Sequence, residues 1–224
     1  MIQTLDRYDA VIYDMDGVLT DSEPLWKIAM EEGFASVGCN LTRADFQKTV
    51  GLRIDEVILY WYNVAPWAEV SPQEVEVRII TRLIELLKER AQPLTGVIES
   101  LKYFSAQHKK IGLATSSYDV LINTILDTLG IHSYFDAVHS AEHEEYGKPH
   151  PAVYLTAARQ LDVAPQRCLV VEDSLNGIIA AKAARMTVIC VPEKTHTPEP
   201  KLMVADAQFD DLLEVVNYFK QQNS

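Results

Sequence analysis

Short apolar runs recur along this chain, each closing on a polar or glycine-containing turn. Residues 10–14, Ala-Val-Ile-Tyr-Asp, are the first. Residues 111–114, 135–140, 168–171 and 187–191 repeat the type, and 207–209 is a shorter sixth. Apolar runs of this length, bounded by turn residues, predict strands. They are apolar at successive positions, as strands covered on both faces require. Between them, helical patterns cover 97–106, 120–129, 152–161, 177–184 and 212–219. Alternating strands and helices predict βαβ units, so the fold class is α/β, a parallel sheet with helices on both faces.

Residues 21–91 break this rhythm and carry only helix signals. Pro24 behind Ser22 and Glu23 suits a helix start. Thr42 can cap a second helix, with Leu41 and Phe46 as a hydrophobic staple. Ser71-Pro72-Gln73-Glu74 reads as a capping box with proline in the first turn. Behind it Val75, Ile79, Leu83, Leu86 and Leu87 recur at three- and four-residue steps. Pro93-Leu94-Thr95-Gly96 looks like a return linker. The expected organisation is an α/β core of residues 1–20 and 92–224, interrupted by a helical domain at 21–91.

Composition narrows the possible partners. The 224 residues hold 20 Lys and Arg against 32 Asp and Glu, a net charge of −12. That sign opposes nucleic-acid binding, which needs a basic face. It leaves room for a small phosphorylated molecule, since one local cation can override the global field. Three cysteines, Cys39, Cys168 and Cys190, form no CxxC pair, and the latter two sit in apolar runs as small buried hydrophobes. No secretory pattern or long uncharged apolar segment is present, so a cytoplasmic protein without membrane contact is expected. A monomer is expected as well. His132, His139, His143 and His150 lack metal-ligand spacing and are expected on the surface or in loops. Glu142 to Glu145 are expected to be solvated.

The chemistry concentrates at predicted strand ends, where open α/β sheets bind ligands. Asp14-Met15-Asp16-Gly17 closes the first strand. Alone, this pair of acids could be a solvated turn or a helix cap. Thr115-Ser116-Ser117 closes the second core strand and offers hydroxyls and N–H groups, though it could merely cap the next helix. Lys148 stands between Gly147 and Pro149, and Glu172-Asp173 ends a later strand, followed by Ser174, Asn176 and Gly177. Together these residues supply hard oxygen ligands, neutral donors and one cation, the inventory for Mg²⁺ plus a phosphate.

At these positions the chain resembles the haloacid-dehalogenase-like phosphatases. Asp14-x-Asp16-Gly17, Thr115, Lys148-Pro149 and Glu172-Asp173 match that superfamily's four motifs in order. The resemblance implies a Rossmann-like parallel-sheet core with an inserted α-helical cap. It implies that Asp14 is a nucleophile forming an aspartyl-phosphate, and that Asp16 first protonates the leaving alkoxide and later activates water. Asp14, Asp173, the Asp16 carbonyl and Glu172, directly or through water, would hold Mg²⁺. Asp16 should keep its side chain off the metal. Thr115 and Ser116 would bind phosphate, and Lys148 would pair with both Asp14 and phosphate.

On the cap, Glu23, Trp26 and Arg53 are the substrate candidates; Trp61, Tyr62 and Trp67 could serve there or form the cap's own core. Arg53 could equally sit in a surface salt bridge. Residues 51–55, 61–62, 66–67 and 181–186 are similar to a bacterial subgroup acting on hexose and hexitol 6-phosphates. Arg185 fits that subgroup, where many superfamily members have glycine. The alternatives on the same scaffold are a phosphosugar mutase of the β-phosphoglucomutase type, or a phosphoglycolate or nucleotide phosphatase. Such mutases carry a histidine shortly after the first motif, where this chain has Trp26.

Overall fold

A computed structural model of the chain describes residues 2–49, 52–192 and 200–222. It divides into two compact units, Met1–Asp21 with Gln92–Ser224, and Ser22–Ala91. The first unit holds six strands: β1 Ala10–Tyr13, β2 Lys110–Thr115, β3 Ala137–Ser140, β4 Cys168–Glu172, β5 Thr187–Cys190 and β6 Ala207–Gln208. All pair in parallel, in the order β3-β2-β1-β4-β5-β6. The chain thus starts at the sheet centre, runs out to one edge, then crosses to the other side. The reversal lies beside β1, the point in an open α/β sheet where ligands bind at the strands' carboxyl ends. The β1 and β4 side chains are all buried, which explains their unbroken apolar runs.

The second unit carries helices α1 Glu23–Ala35, α2 Arg43–Phe46, α3 Ile54–Val64 and α4 Pro72–Arg90. Val75, Ile79, Leu83, Leu86 and Leu87 form the buried face of α4. The Ser71 hydroxyl accepts from the Glu74 N–H at 3.1 Å, but the reciprocal half of the expected capping box is missing. Glu74 pairs instead with Arg78 at 2.8 Å, a full charge-charge contact one turn along. At α2, Asp45 accepts from the Thr42 N–H at 2.9 Å and the Thr42 hydroxyl at 2.6 Å. Trp61 and Trp67 are buried in this unit. The Trp67 ring meets Phe34 and Tyr62 edge-on, and its N–H donates to the Val70 carbonyl. These tryptophans therefore build the helical core.

The remaining helices cover the sheet: α5 Val97–Ala106, α6 Asp119–Leu129, α7 Ala152–Gln160, α8 Leu175–Ala183 and α9 Leu212–Gln222. No described helix is long and apolar enough to cross a membrane. One expectation fails in the sheet: His139 is on β3 and buried. Its ring is tolerated because Nε2 meets Glu144 Oε1 at 2.7 Å, and that contact also makes Glu144 half-buried rather than solvated. Cys168 and Cys190 are buried, and burial pushes both thiols up to about 12.

The C-terminus of α8 explains Arg185. The Met186 N–H returns to the Ala181 carbonyl and the Arg185 N–H to the Lys182 carbonyl. This double closure needs a left-handed residue at Arg185, whose φ is +63°. A β-carbon there costs about 1 kcal/mol, partly offset because glycine is freer when unfolded. Arg185→Gly should therefore raise stability by about 0.5 kcal/mol, read as a higher urea midpoint with an unchanged slope.

Candidate active site

The carboxyl ends of β1, β2 and β4 bring together the acids and the lysine. Asp14 follows β1, and its N–H extends the sheet by donating to the Val171 carbonyl at 2.9 Å. Lys148 reaches in from the segment between β3 and α7 and is buried. Its ammonium has three protons and three acceptors: Asp14 Oδ1 at 2.8 Å, Glu172 Oε1 at 2.7 Å and the Ala114 carbonyl at 3.1 Å.

Glu172, at the end of β4, is fully buried. Its Oε1 also accepts from the Tyr154 hydroxyl at 2.7 Å. Its Oε2 takes the N–H groups of Asp173 and Ser174, both at 3.0 Å, and the Ser174 hydroxyl at 2.9 Å. Ser174 Oγ in turn accepts from the Gly177 N–H, capping α8. Position 177 has to be glycine here, because a β-carbon would lie 1.7 Å from Glu172 Oε1. Gly17 is constrained twice: its φ is +76°, and a β-carbon would lie 2.1 Å from Asp173 Oδ2.

Asp16 takes a different environment. Its Oδ2 accepts from the Ser117 hydroxyl at 2.6 Å. Ser117 is fixed by its N–H to Thr115 Oγ1 at 3.1 Å and by the Ser140 hydroxyl on its carbonyl at 2.6 Å. Thr115 is buried at the end of β2 and Ser116 is half-buried beside it. One carboxylate oxygen from each of Asp14, Glu172 and Asp173 can lie within 4.8 Å of the other two. Such an all-oxygen set fits a hard divalent cation. The Asp16 carboxylate is not in that group.

The electrostatics follow from burial. Burial is the largest effect on Asp14 and pushes its carboxyl up to about 7; Lys148 opposes the rise, while Glu172 and Asp16 add to it. Burial also works against the Glu172 carboxylate, but Lys148, Tyr154 and the Ser174 N–H together hold it below its ordinary value. For Lys148, burial favours the neutral amine, yet Asp14 and Glu172 outweigh it and keep the ammonium charged. Burial and Glu172 raise the Tyr154 phenol well above its usual range, so it remains a donor.

Other expected residues lie in the helical unit. Glu23 pairs with Lys27 at 2.8 Å and Trp26 is half-buried on α1. Arg53 pairs with Asp55 at 3.1 Å. Gly51, two residues before Arg53, lies outside the described residues. His143, which has no ligand spacing in sequence, stands exposed with Asp119 and Glu142, with one donor atom of each within 4.8 Å of the others. Sequence reasoning passed over Tyr154 and the role of Ser117. A tyrosine on the apolar face of a predicted helix is a usable signal, because its buried hydroxyl must find a partner.

The family model for haloacid dehalogenase-like hydrolases matches residues 11–191. Hexitol phosphatase B of Escherichia coli (strain K12) is 42% identical over 207 residues, covering 92% of this chain and 93% of that protein. A phosphorylated carbohydrates phosphatase of Thermotoga maritima is 32% identical, over 79% of this chain and 81% of its own length. Among solved structures, the β-phosphoglucomutase of Clostridium difficile superposes with a TM-score of 0.83 at 25% identity, covering 96% of each chain.

The buried trio of Asp14, Glu172 and Lys148 carries one negative charge in excess when all three are ionised. Because the folded pKa of Asp14 lies above its ordinary 3.8, its stabilising contribution is complete below about pH 4 and lost as pH rises through about 7. Asp14→Asn removes the excess charge and leaves an acceptor for Lys148. In chelator, the variant should be more stable than the parent at pH 8 by about 1–3 kcal/mol. The gap should shrink at pH 5. Denaturant melts at both values check it.

Proposed function

The chain belongs to the haloacid dehalogenase-like hydrolases, and on that premise we propose that it is a Mg²⁺-dependent phosphatase acting on hexose and hexitol 6-phosphates. The observation that carries the reading is the buried contact of the Lys148 ammonium with Asp14 Oδ1 at 2.8 Å, at the sheet's carboxyl edge. Identity to a hexitol phosphatase over nearly the whole chain supports the substrate class.

Asp14 attacks phosphorus, the ester P–O bond breaks, and the departing alkoxide takes a proton from Asp16. Asp16 then takes a proton from water, which attacks the aspartyl-phosphate and releases inorganic phosphate. The Ser117 hydroxyl on Oδ2 holds the Asp16 carboxyl in one orientation for both proton transfers. Lys148 faces the nucleophile and offsets repulsion between two anions as they approach. Thr115, Ser116 and nearby N–H groups receive phosphate oxygens. Asp14 and Asp173, with the Asp16 carbonyl, are the residues that would hold Mg²⁺. Bound there, the ion supplies positive charge to the nucleophile and the transferring phosphoryl group. Glu172 holds Lys148 and would join the ion's site directly or through water. The helical unit acts as a cap in this reading, and Glu23, Trp26 and Arg53 select the sugar.

Likeness to a β-phosphoglucomutase supports a second reading, transfer of the phosphoryl group back to sugar. The same assay separates the two. The expected result is Mg²⁺-dependent release of inorganic phosphate, with sugar and polyol 6-phosphates ranked first by kcat/KM. Isomerised sugar phosphate without free phosphate would replace hydrolysis with the mutase reading. A nucleotide-first ranking would overturn the substrate class. Asp14→Asn should abolish both turnover and phospho-enzyme. Asp16→Asn should slow both half-reactions by about 10²–10⁴-fold with Mg²⁺ affinity near normal.

A further inference from the structure

Tyr154 touches the catalytic lysine's environment at two points. Its hydroxyl donates to Glu172 Oε1 at 2.7 Å, the same oxygen that accepts from Lys148 at 2.7 Å. Its ring face lies 4.8 Å from the Lys148 ammonium. The residue is fully buried on α7 within the apolar core around β1 and β4. Packing in that core would be served by phenylalanine, which has the same ring and no polar atom to desolvate. The hydroxyl adds one thing only, a neutral donor aimed at Glu172.

We propose that Tyr154 is a positioning residue whose hydroxyl, through Glu172, sets the reach of Lys148 onto Asp14. This rests on the phosphatase reading above for its consequence, though not for its geometry. Lys148 divides its three protons among Asp14, Glu172 and Ala114. Both carboxylates are buried anions competing for one ammonium. Tyr154 satisfies part of Glu172 Oε1 without bringing a second cation into the site. With the hydroxyl gone, Lys148 is the remaining side-chain donor described on that oxygen. The ammonium is then drawn towards Glu172 and away from Asp14. The nucleophile loses the contact that aligns it, while the phosphate-binding groups at β2 and the acids around Gly17 are untouched.

Tyr154→Phe tests this, because it keeps the ring, the packing and the ring–ammonium contact. The variant should melt within a few degrees of the parent. In its crystal structure, Lys148 Nζ should lie beyond hydrogen-bond distance of Asp14 Oδ1. Its kcat on the best sugar phosphate should fall roughly ten- to a hundredfold. KM and the Mg²⁺ half-saturation should stay within about twofold. In a Glu172→Gln background the same change should have little further effect, since the route runs through that carboxylate. Lys148→Ala provides the background if Glu172→Gln does not fold.

An unmoved Lys148 in the Tyr154→Phe structure would overturn the proposal. So would an unchanged kcat, or an equal loss in the Glu172→Gln background, which would mark a general packing defect. A parent protein with no phosphatase activity fails the functional reading instead, and the crystal structure still decides the positioning claim.

Discussion

The arrangement depends on one buried ammonium. Lys148 is held between two carboxylates that arrive from different strands, Asp14 after β1 and Glu172 at the end of β4. A charge buried this deeply is unfavourable unless every proton finds an acceptor. The parallel sheet supplies that condition. Its central pair, β1 and β4, runs in register from Ala10 opposite Cys168 to Tyr13 opposite Val171. Register fixes which residues leave the sheet together, so Asp14 and Glu172 emerge side by side. The third acceptor, the Ala114 carbonyl, comes from β2 on the other flank of β1. A slip of one residue in either pairing would turn a carboxylate into the apolar core.

Glu172 shows how the fold separates two acids of identical charge. It is saturated: two backbone N–H groups, two hydroxyls and the ammonium converge on its two oxygens. These donors favour its anionic form. Asp14 is buried nearly as deeply, but the described structure gives its side chain Lys148 as a donor and no such ring of hydroxyls. In the proposed mechanism the first supports Lys148 and the second is the reactive group. Asp16, two residues along, accepts from the Ser117 hydroxyl. Three carboxylates at neighbouring strand ends thus meet different donors, and the proposed division into nucleophile, acid–base and support rests on that difference.

Much of this was legible in the sequence because it is local. A run such as Ala10 to Tyr13 states a buried strand without reference to anything distant, and Asp14 states where it stops. The helical insertion was visible because Val75, Ile79, Leu83 and Leu87 keep helical spacing where no strand intervenes. What could not be read depends on partners far away in the chain. Tyr154 looks like one more apolar position on α7 until Glu172, 18 residues on, is placed against it. Ser117 looks like one of three interchangeable hydroxyls until Asp16, 101 residues away, selects it. His139, without ligand spacing, was expected on the surface or in a loop; Glu144 makes its burial tolerable. The tryptophans of the insertion were ambiguous for a related reason. An indole serves core and ligand equally well, and only packing such as Trp67 against Phe34 decides between them.

The same division separates chemistry from specificity. Phosphoryl transfer needs a few groups in fixed relative positions, and a rigid sheet edge supplies them from short, adjacent segments. Each of those segments is therefore readable alone. Choice of sugar needs a surface shaped to hydroxyl groups, and the residues expected to form it stand in a separate helical unit. There Arg53 pairs with Asp55 and Glu23 with Lys27. An α/β core can keep Asp14, Lys148 and Glu172 unchanged while the sequence of the helical unit varies. Substrate class is consequently carried by likeness over the whole chain, including the insertion, whereas reaction type is carried by a few buried contacts at three strand ends.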